Sequence, residues 1–455
     1  MKLFELTYQR DASHLFSIIA DEPWSMFLDS GYPKIDSGRY DIIVGRPVVT
    51  LETCGDTTRI SRGGDSVESN EDPFLLLKQE LGEREQNLSG LPFCGGALGY
   101  FAYDLGRRLE QLPETASNDV LLPEMAVGIY DWAVIIDHHL RRACLVSLCR
   151  YPETAKQWSS LQALFADVTE SQEQEFNMKA DVESNMTKEQ YAQAFDRIKH
   201  YIREGDCYQV NLAQRFSAGF EGNSWDAYRQ LRQLNPAPYA AYINTPAGTV
   251  MSSSPERFLR VTDNQVETKP IKGTSHRSVF AYEDKALAVS LLESEKDRAE
   301  NLMIVDLLRN DISKVCEPGT VVVPKLFALE TYATVHHLVS TISGRLDKGK
   351  HALDLLRACF PGGSITGAPK LRSMEIIEEL EPHRRSVYCG SIAYIGFDGN
   401  MDSNICIRTM VRYNNQLYFH AGGGIVWDSQ MDAEYQECFD KAAAMLKLFG
   451  KKQSG

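Results

Sequence analysis

The chain predicts an α+β protein. Strand-like stretches lie beside one another with turn residues between them, and long amphipathic helical stretches interrupt them. No regular strand–helix alternation, the mark of a parallel βαβ array, runs through the 455 residues. In chain order, Trp24 to Leu28, Tyr40 to Val44 and Met125 to Ile136 carry the β-branched and aromatic residues of strands. Residues 167–185 then turn polar and acidic with few apolar anchors, which predicts a linker between an N-terminal region, 1–166, and a second region, 186–450. A helix opens directly after it: Thr187 and Gln190 have the spacing of a capping box, Tyr191, Phe195, Ile198 and Ile202 share a face, and Gly205 supplies the stop. Cys207 to Leu212 alternates as a strand. So do Val387 to Phe397, Asn404 to Tyr413 and Leu417 to His420, with Asn414-Asn415 as a hairpin turn. Helical spacing covers Glu295 to Leu308, Pro369 to Leu380 and Ala433 to Leu448.

Composition narrows the function before any motif is read. The 48 Lys and Arg against 62 Asp and Glu leave a formal charge of −14, so the net field repels a phosphate backbone and no nucleic-acid partner is expected. A hydrophobic content of 43% is that of a globular chain with a large core. No apolar run approaches the ~20 residues of a membrane helix. Met1-Lys2-Leu3-Phe4-Glu5 turns charged too soon for a secretory signal, so the expected location is the cytoplasm, away from membranes. The ten cysteines are scattered with no C-x-x-C pair, which argues against a zinc site or a disulfide framework.

Five segments after the linker hold unusual residue choices. Ser254-Pro255-Glu256 is followed by Lys269-Pro270-Ile271-Lys272-Gly273-Thr274. If Lys272 is buried there, desolvation makes its amine a nucleophile; read locally, a solvent-facing lysine at a strand end fits as well. Asp297 and Glu300 are three apart on one predicted helix, and Glu434, Glu437 and Lys441 share a face of another. Two such helices could converge on a hard cation, since Mg2+ takes one or two carboxylates plus water and substrate oxygens; two solvated faces are the plainer alternative. Phe360-Pro361-Gly362-Gly363-Ser364-Ile365-Thr366-Gly367-Ala368-Pro369 runs glycine-rich into a helix and suits an anion, yet lacks the Lys and Ser/Thr of a Walker loop. Ala421-Gly422-Gly423-Gly424 lets a ligand approach the main chain at a strand end, and is not a dinucleotide fingerprint.

Taken together, in this order and spacing, these segments resemble the chorismate-utilising enzyme family from about Met186 to Lys447, and Gly95 to Tyr100 with Tyr103-Asp104 looks like its N-terminal region. The resemblance implies an anthranilate-synthase-component-I-like fold: two interlocking subdomains with stacked antiparallel sheets flanked by helices, residues 186–450 being the chorismate-binding catalytic domain. It also implies a branch. Lys272 stands where members making anthranilate, isochorismate or salicylate carry alanine, and in the branch that aminates chorismate at C4 that lysine is the covalent nucleophile. Gln209 stands where the water-activating members carry lysine, and a glutamine cannot serve as that base.

The roles implied are these. Glu256 is the general acid and His337 sits beside the ring carboxylate. Mg2+ is held by Glu300 and Glu437, with Asp297 and Glu434 near it. Tyr394, Arg408, Lys441 and the amides of Gly422, Gly423 and Gly424 hold the two substrate carboxylates. Thr274, Thr366 and Gly367 complete the pocket. The ammonia is expected from a separate glutamine amidotransferase subunit, because no such nucleophile set is visible in the chain. No fused lyase is visible either, so the product is expected to keep its enolpyruvyl group. In the N-terminal region the family often has an aromatic amino acid pocket; Ser30, Arg39 and Tyr40, with Pro238 and Tyr239 from the other half, fall where it would lie, with tryptophan as the occupant. The other readings are anthranilate synthesis and a non-catalytic chorismate or tryptophan sensor.

Overall fold

The structure, a computed structural model, describes residues 1–35, 38–87, 89–166, 177–178, 181–331 and 335–450. Most of the predicted linker, at 167–176 and 179–180, lies outside the described residues; its ends add the short strands Asn177–Met178 and Glu183–Ser184 to the edge of the long Gln209–Glu221 strand.

Two antiparallel sheets carry the fold, with thirteen and twelve strands among the described residues. The first is centred on Met26–Asp29, Tyr239–Thr245, Gly248–Ser254, Thr409–Tyr413, Gln416–Ile425 and Gln209–Glu221. The second runs from Ile271–His276 and Val335–Arg345 through Arg257–Thr262, Met401–Asn404 and Ser391–Gly396 to Gly96–Phe101, Met125–Tyr130 and Val49–Cys54. The period of two along each strand sorts its residues between two faces. Met26, Ile42, Val250 and Val411 of the first sheet meet Leu98, Tyr100, Ala126 and Ile392 of the second in one buried cluster, so the sheets stack face to face. The alternate residues, Phe27, Ile43, Tyr242 and Met251, face outward under Trp158, Leu161, Trp225, Tyr228 and Met445 of the covering helices. The outer face of the second sheet is covered by Pro73–Leu81, Glu295–Ser313 and Ala352–Cys359.

Both parts of the chain build both sheets. Met26–Asp29 pairs with Tyr239–Thr245 in one, and Gly96–Phe101 pairs with Ser391–Gly396 in the other. Residues 1–166 and 186–450 therefore share their cores, and the linker does not separate two independently packed bodies.

Two predicted strands are each broken in two. Met125 to Ile136 is Met125–Tyr130 in the second sheet and Ala133–Asp137 in the first. Asn404 to Tyr413 likewise divides into Met401–Asn404 in the second sheet and Thr409–Tyr413 in the first. An uninterrupted apolar run can cross from one stacked sheet to the other without leaving the core, so hydrophobicity alone cannot mark the crossing. The helix after the linker matches its sequence signals. Thr187 and Gln190 form the reciprocal capping box, and Gly205 ends the helix at φ 84°. No described helix is long and apolar enough to cross a membrane. All ten cysteines are free.

Candidate active site

A cavity of about 540 Å3 opens where the ends of both sheets meet the Glu295–Ser313 and Met431–Leu448 helices. Glu256 follows the Gly248–Ser254 strand and is buried against this cavity. Burial pushes its carboxyl up to about 7, with the Lys272 charge and hydrogen bonds from Ser364 and Ile271 pulling the other way. Lys272 lies on the Ile271–His276 strand of the second sheet, where the register slips between Ile271 and Thr274 at Gly273, which has φ 83°. The slip turns the amine inward: it is 11% exposed and donates to Glu300 Oε1 at 2.8 Å and to the Ser364 carbonyl at 3.2 Å. Burial raises the Glu300 carboxyl, but the charges of Lys272, Lys296 and Lys441 outweigh it and hold the group below the ordinary carboxylate range.

Across the cavity stands His337, whose Nδ1 lies 2.9 Å from the Thr274 hydroxyl. Burial and the nearby Arg408 charge drop its pKa to about 4, so the ring is neutral at pH 7. Its neighbour His336 is buried and bonded to Asp284 and Thr331 instead. Arg408 sits in the break between Met401–Asn404 and Thr409–Tyr413, at φ 51°. Burial alone lowers its pKa, because no described carboxylate pairs with it. A half-buried guanidinium without a counter-charge, facing a cavity, is arranged for an anion from outside the chain; its fork matches a carboxylate.

The glycine strand and the acidic helices meet at the same place. A methyl group on Gly423 would lie 3.2 Å from Glu434 Oε2 and 3.5 Å from Glu437 Oε1, and one on Gly424 would lie 3.3 Å from Glu300 Oε1. The bare strand is thus what leaves room between the carboxylates. Lys441 pairs with Glu437 at 2.6 Å and donates to the Gly422 carbonyl at 2.9 Å. Glu434 accepts from Ser429 at 2.6 Å and lies 3.7 Å from Lys296 of the facing helix. Asp297 closes the rim beside Gly273. Among the described residues no three His, Cys, Asp or Glu side chains form a ready metal cluster. The donor set still suits Mg2+, which leaves most of its coordination to water and substrate.

A family model described as "chorismate binding enzyme" matches residues 34–447. The chain belongs to the chorismate-binding enzyme family. It is 49% identical over 450 residues to aminodeoxychorismate synthase component 1 of Escherichia coli K12, covering 98% of each chain. It is 49% identical over 448 residues to the protein of that name from Klebsiella aerogenes, again covering 98% of each. The crystal structure of anthranilate synthase component I from Streptococcus pneumoniae TIGR4 superimposes with a TM-score of 0.80 at 34% identity, covering 90% of this chain and 92% of that one.

Within this chorismate-binding enzyme not every predicted residue faces the cavity. Thr366 is fully buried and donates its hydroxyl to the Gly362 carbonyl. Gly367, at φ 141°, pairs with Val210 at a sheet edge, where a side chain would strike the Gln209 carbonyl at 2.1 Å. Both shape the turn behind Ser364 and do not line the cavity. Tyr394 is a correction: it points into a second cavity. It alternates along Ser391–Gly396 with Ala393 and Ile395, which join the core under the helices, while Tyr394 turns to the side between the sheets. Sequence reasoning also missed Asn211, Lys296, Tyr388 and His420, all of which line the active cavity. Lys296 opens the segment that carries Asp297 and Glu300, and His420 directly precedes Ala421-Gly422, but neither had a signal of its own; the alternation of Asn211 with buried Val210 and Leu212 hinted at a strand face.

The second cavity, about 350 Å3, is lined by all five residues expected for an aromatic amino acid, Ser30, Arg39, Tyr40, Pro238 and Tyr239, together with Tyr394 and Arg257. Its acids are already engaged. Asp29 accepts from Arg232 at 2.7 Å and Asp402 binds Arg257 at 2.9 Å, while Asp41, outside the lining, holds Ser30 through its amide and hydroxyl. Arg39 bonds Asp137 at 3.1 Å and covers the Tyr40 ring.

Proposed function

We propose that the chain aminates chorismate at C4 with ammonia to give 4-amino-4-deoxychorismate, the step that leads to 4-aminobenzoate and folate, in the cytoplasm. The relatives at 49% identity carry the name of that activity. The observation that supports the chemistry is Lys272, buried on the cavity wall within reach of Glu256, Glu300 and the Ser364 carbonyl.

Arg408 and His337 receive one substrate carboxylate, the first by its charge and the second as a neutral hydrogen-bonding ring. Lys441 and the Gly422 and Gly424 main chain receive the other. The Lys272 amine, after releasing its extra proton, bonds to C2 and becomes a secondary ammonium, the ring double bond shifts, and the C4 hydroxyl leaves as water with the proton of Glu256, whose carboxylate later takes a proton back from the new C4 ammonium. A carboxyl with a pKa near 7 is partly protonated at neutral pH, as that step requires. Ammonia then bonds to C4, the double bond shifts back, and the C2–lysine bond breaks. Mg2+ held by Glu300 and Glu437, with Asp297 and Glu434 beside them, would neutralise the ring carboxylate and withdraw electrons from the diene. A glutamine amidotransferase subunit supplies the ammonia, and tryptophan occupies the second cavity.

The test is incubation with chorismate, Mg2+ and an ammonium salt. The expected product yields 4-aminobenzoate only after a lyase is added; fluorescent anthranilate without a lyase, or no turnover, refutes the reading. Protein quenched with chorismate gains the mass of an adduct, and Lys272→Ala gains none. An adduct retained in that variant sinks the lysine assignment.

A further inference from the structure

A third cavity, of about 400 Å3, shares no lining residue with the active cavity. It is bounded by the end of the Pro73–Leu81 helix, by the turn at Asn264 between Arg257–Thr262 and Gln265–Thr268, and by residues 345–351, which join the Val335–Arg345 strand to the Ala352–Cys359 helix. Among its lining residues Arg84, Arg345, Lys348 and Lys350 have no carboxylate partner among the described residues. Arg84 donates only to neutral acceptors, Asn264 Oδ1 at 2.8 Å and the Lys350 carbonyl at 3.1 Å. The remaining lining cation, Lys78, is neutralised by Asp354 at 2.9 Å. Against the four unpaired cations the lining has two acids, Glu317 and Asp347. A chain of net charge −14 thus concentrates positive charge in one concave place, where low-dielectric walls focus its field.

His351 adds a donor to the same wall. The residue is only 7% exposed and lines the cavity. Its Nδ1 caps the Ala352–Cys359 helix by accepting from the Leu353 amide at 3.2 Å. Burial, with the charges of Arg84 and Lys78, drops its pKa to about 4, so the ring is neutral at pH 7. In a neutral ring whose Nδ1 accepts, the hydrogen is assigned to Nε2. No described group takes that hydrogen. A polar hydrogen left over on a largely buried ring calls for an acceptor, and the cavity is where one fits.

We propose that this cavity binds a small phosphorylated organic anion carrying at least two negative charges, held by Arg84, Arg345, Lys348 and Lys350 and by the Nε2 hydrogen of His351. Four unpaired cations against two acids leave an excess that a dianion balances. Guanidinium forks and lysine ammonium groups match phosphate oxygens, and a neutral ring N–H donates to one without adding charge. The volume is that of a site for a small organic molecule, which begins at about 300 Å3. The site is separate from the amination chemistry and does not depend on that reading.

The test is calorimetric titration of the whole chain with inorganic pyrophosphate, in the absence of Mg2+ and chorismate. The expected Kd lies below about 1 mM, from a few charge-assisted hydrogen bonds. Arg345→Gln weakens it about tenfold, and so does the double variant Lys348→Gln with Lys350→Gln. His351→Asn, which keeps a capping oxygen and removes the Nε2 hydrogen, weakens it about fivefold. Arg408→Ala, in the active cavity, leaves it unchanged. ADP binds at least as tightly as pyrophosphate, and inorganic phosphate binds more weakly. The proposal is overturned by a pyrophosphate Kd above about 10 mM, by an unchanged Kd in the Arg345 and lysine variants, or by loss of binding in Arg408→Ala, which would put the anion in the active cavity. Citrate binding as tightly as pyrophosphate overturns the phosphate assignment, and inorganic phosphate binding as tightly as ADP overturns the organic one.

Discussion

Glu256→Gln isolates the electrostatics of the active cavity, because it removes the charge and keeps the shape. In the folded protein burial carries this carboxyl up to about 7, while in the unfolded chain it returns to its ordinary value of 4.5. Below pH 4.5 both states hold the proton and the group costs nothing. Between 4.5 and 7 the unfolded chain releases its proton while the folded one keeps it, so stability falls as pH rises, at ~1.4 kcal/mol per pH unit. By pH 7 and above the wild type has lost about 3 kcal/mol through this one group. The glutamine variant has no such loss. Urea denaturation of both proteins, without substrate or metal, at pH 4.5 and pH 8 measures it: the variant gains about 3 kcal/mol on the wild type between the two. Any constant effect of the amide cancels in that comparison. A stability difference that does not change with pH would refute the buried-acid account of Glu256, and with it the proton donor for the leaving hydroxyl.

Arg408→Lys keeps the charge but loses the fork, so chorismate affinity measured by calorimetry falls about 10- to 100-fold, the worth of one charge-assisted hydrogen bond. Gly424→Ala places a methyl 2.0 Å from Gln209 Nε2, the group that donates to Glu300 at 3.2 Å; Mg2+ affinity, read by titration calorimetry, drops about tenfold or more. Gly205→Ala is the control. No atom lies within 4 Å of its added methyl, but φ is 84°, so stability falls by about 1–2 kcal/mol with Mg2+ affinity intact.

Local signals told most where local physics decides the outcome. Thr187, Gln190 and Gly205 marked both ends of a helix because a cap is a contact between neighbours in sequence. Asp297 and Glu300, and Glu434 and Glu437, could be paired on their faces by helical period alone, but that the two helices face each other depends on the sheets between them. Arg408 shows the limit most clearly. Its stretch reads as one strand, yet the chain changes sheets at 405–408, and that bend turns the guanidinium into the cavity. Tyr394 failed for the complementary reason. Alternation says that a residue faces one side or the other, but not which cavity lies on that side. His420 carries no local signal, since its neighbours Phe419 and Ala421 are ordinary core residues.

The sharing of strands between the two parts of the chain has a consequence for biosynthesis. While the first 166 residues leave the ribosome, Gly96–Phe101 has only one of its two neighbours; the other edge waits for Ser391–Gly396. Met26–Asp29 similarly waits for Tyr239–Thr245. At ~5–20 residues per second, an apolar strand edge stays bare for tens of seconds. Such an edge invites pairing with another nascent chain. Slower growth temperature, chaperone supply and low expression rate are therefore the conditions under which this protein should be recovered intact.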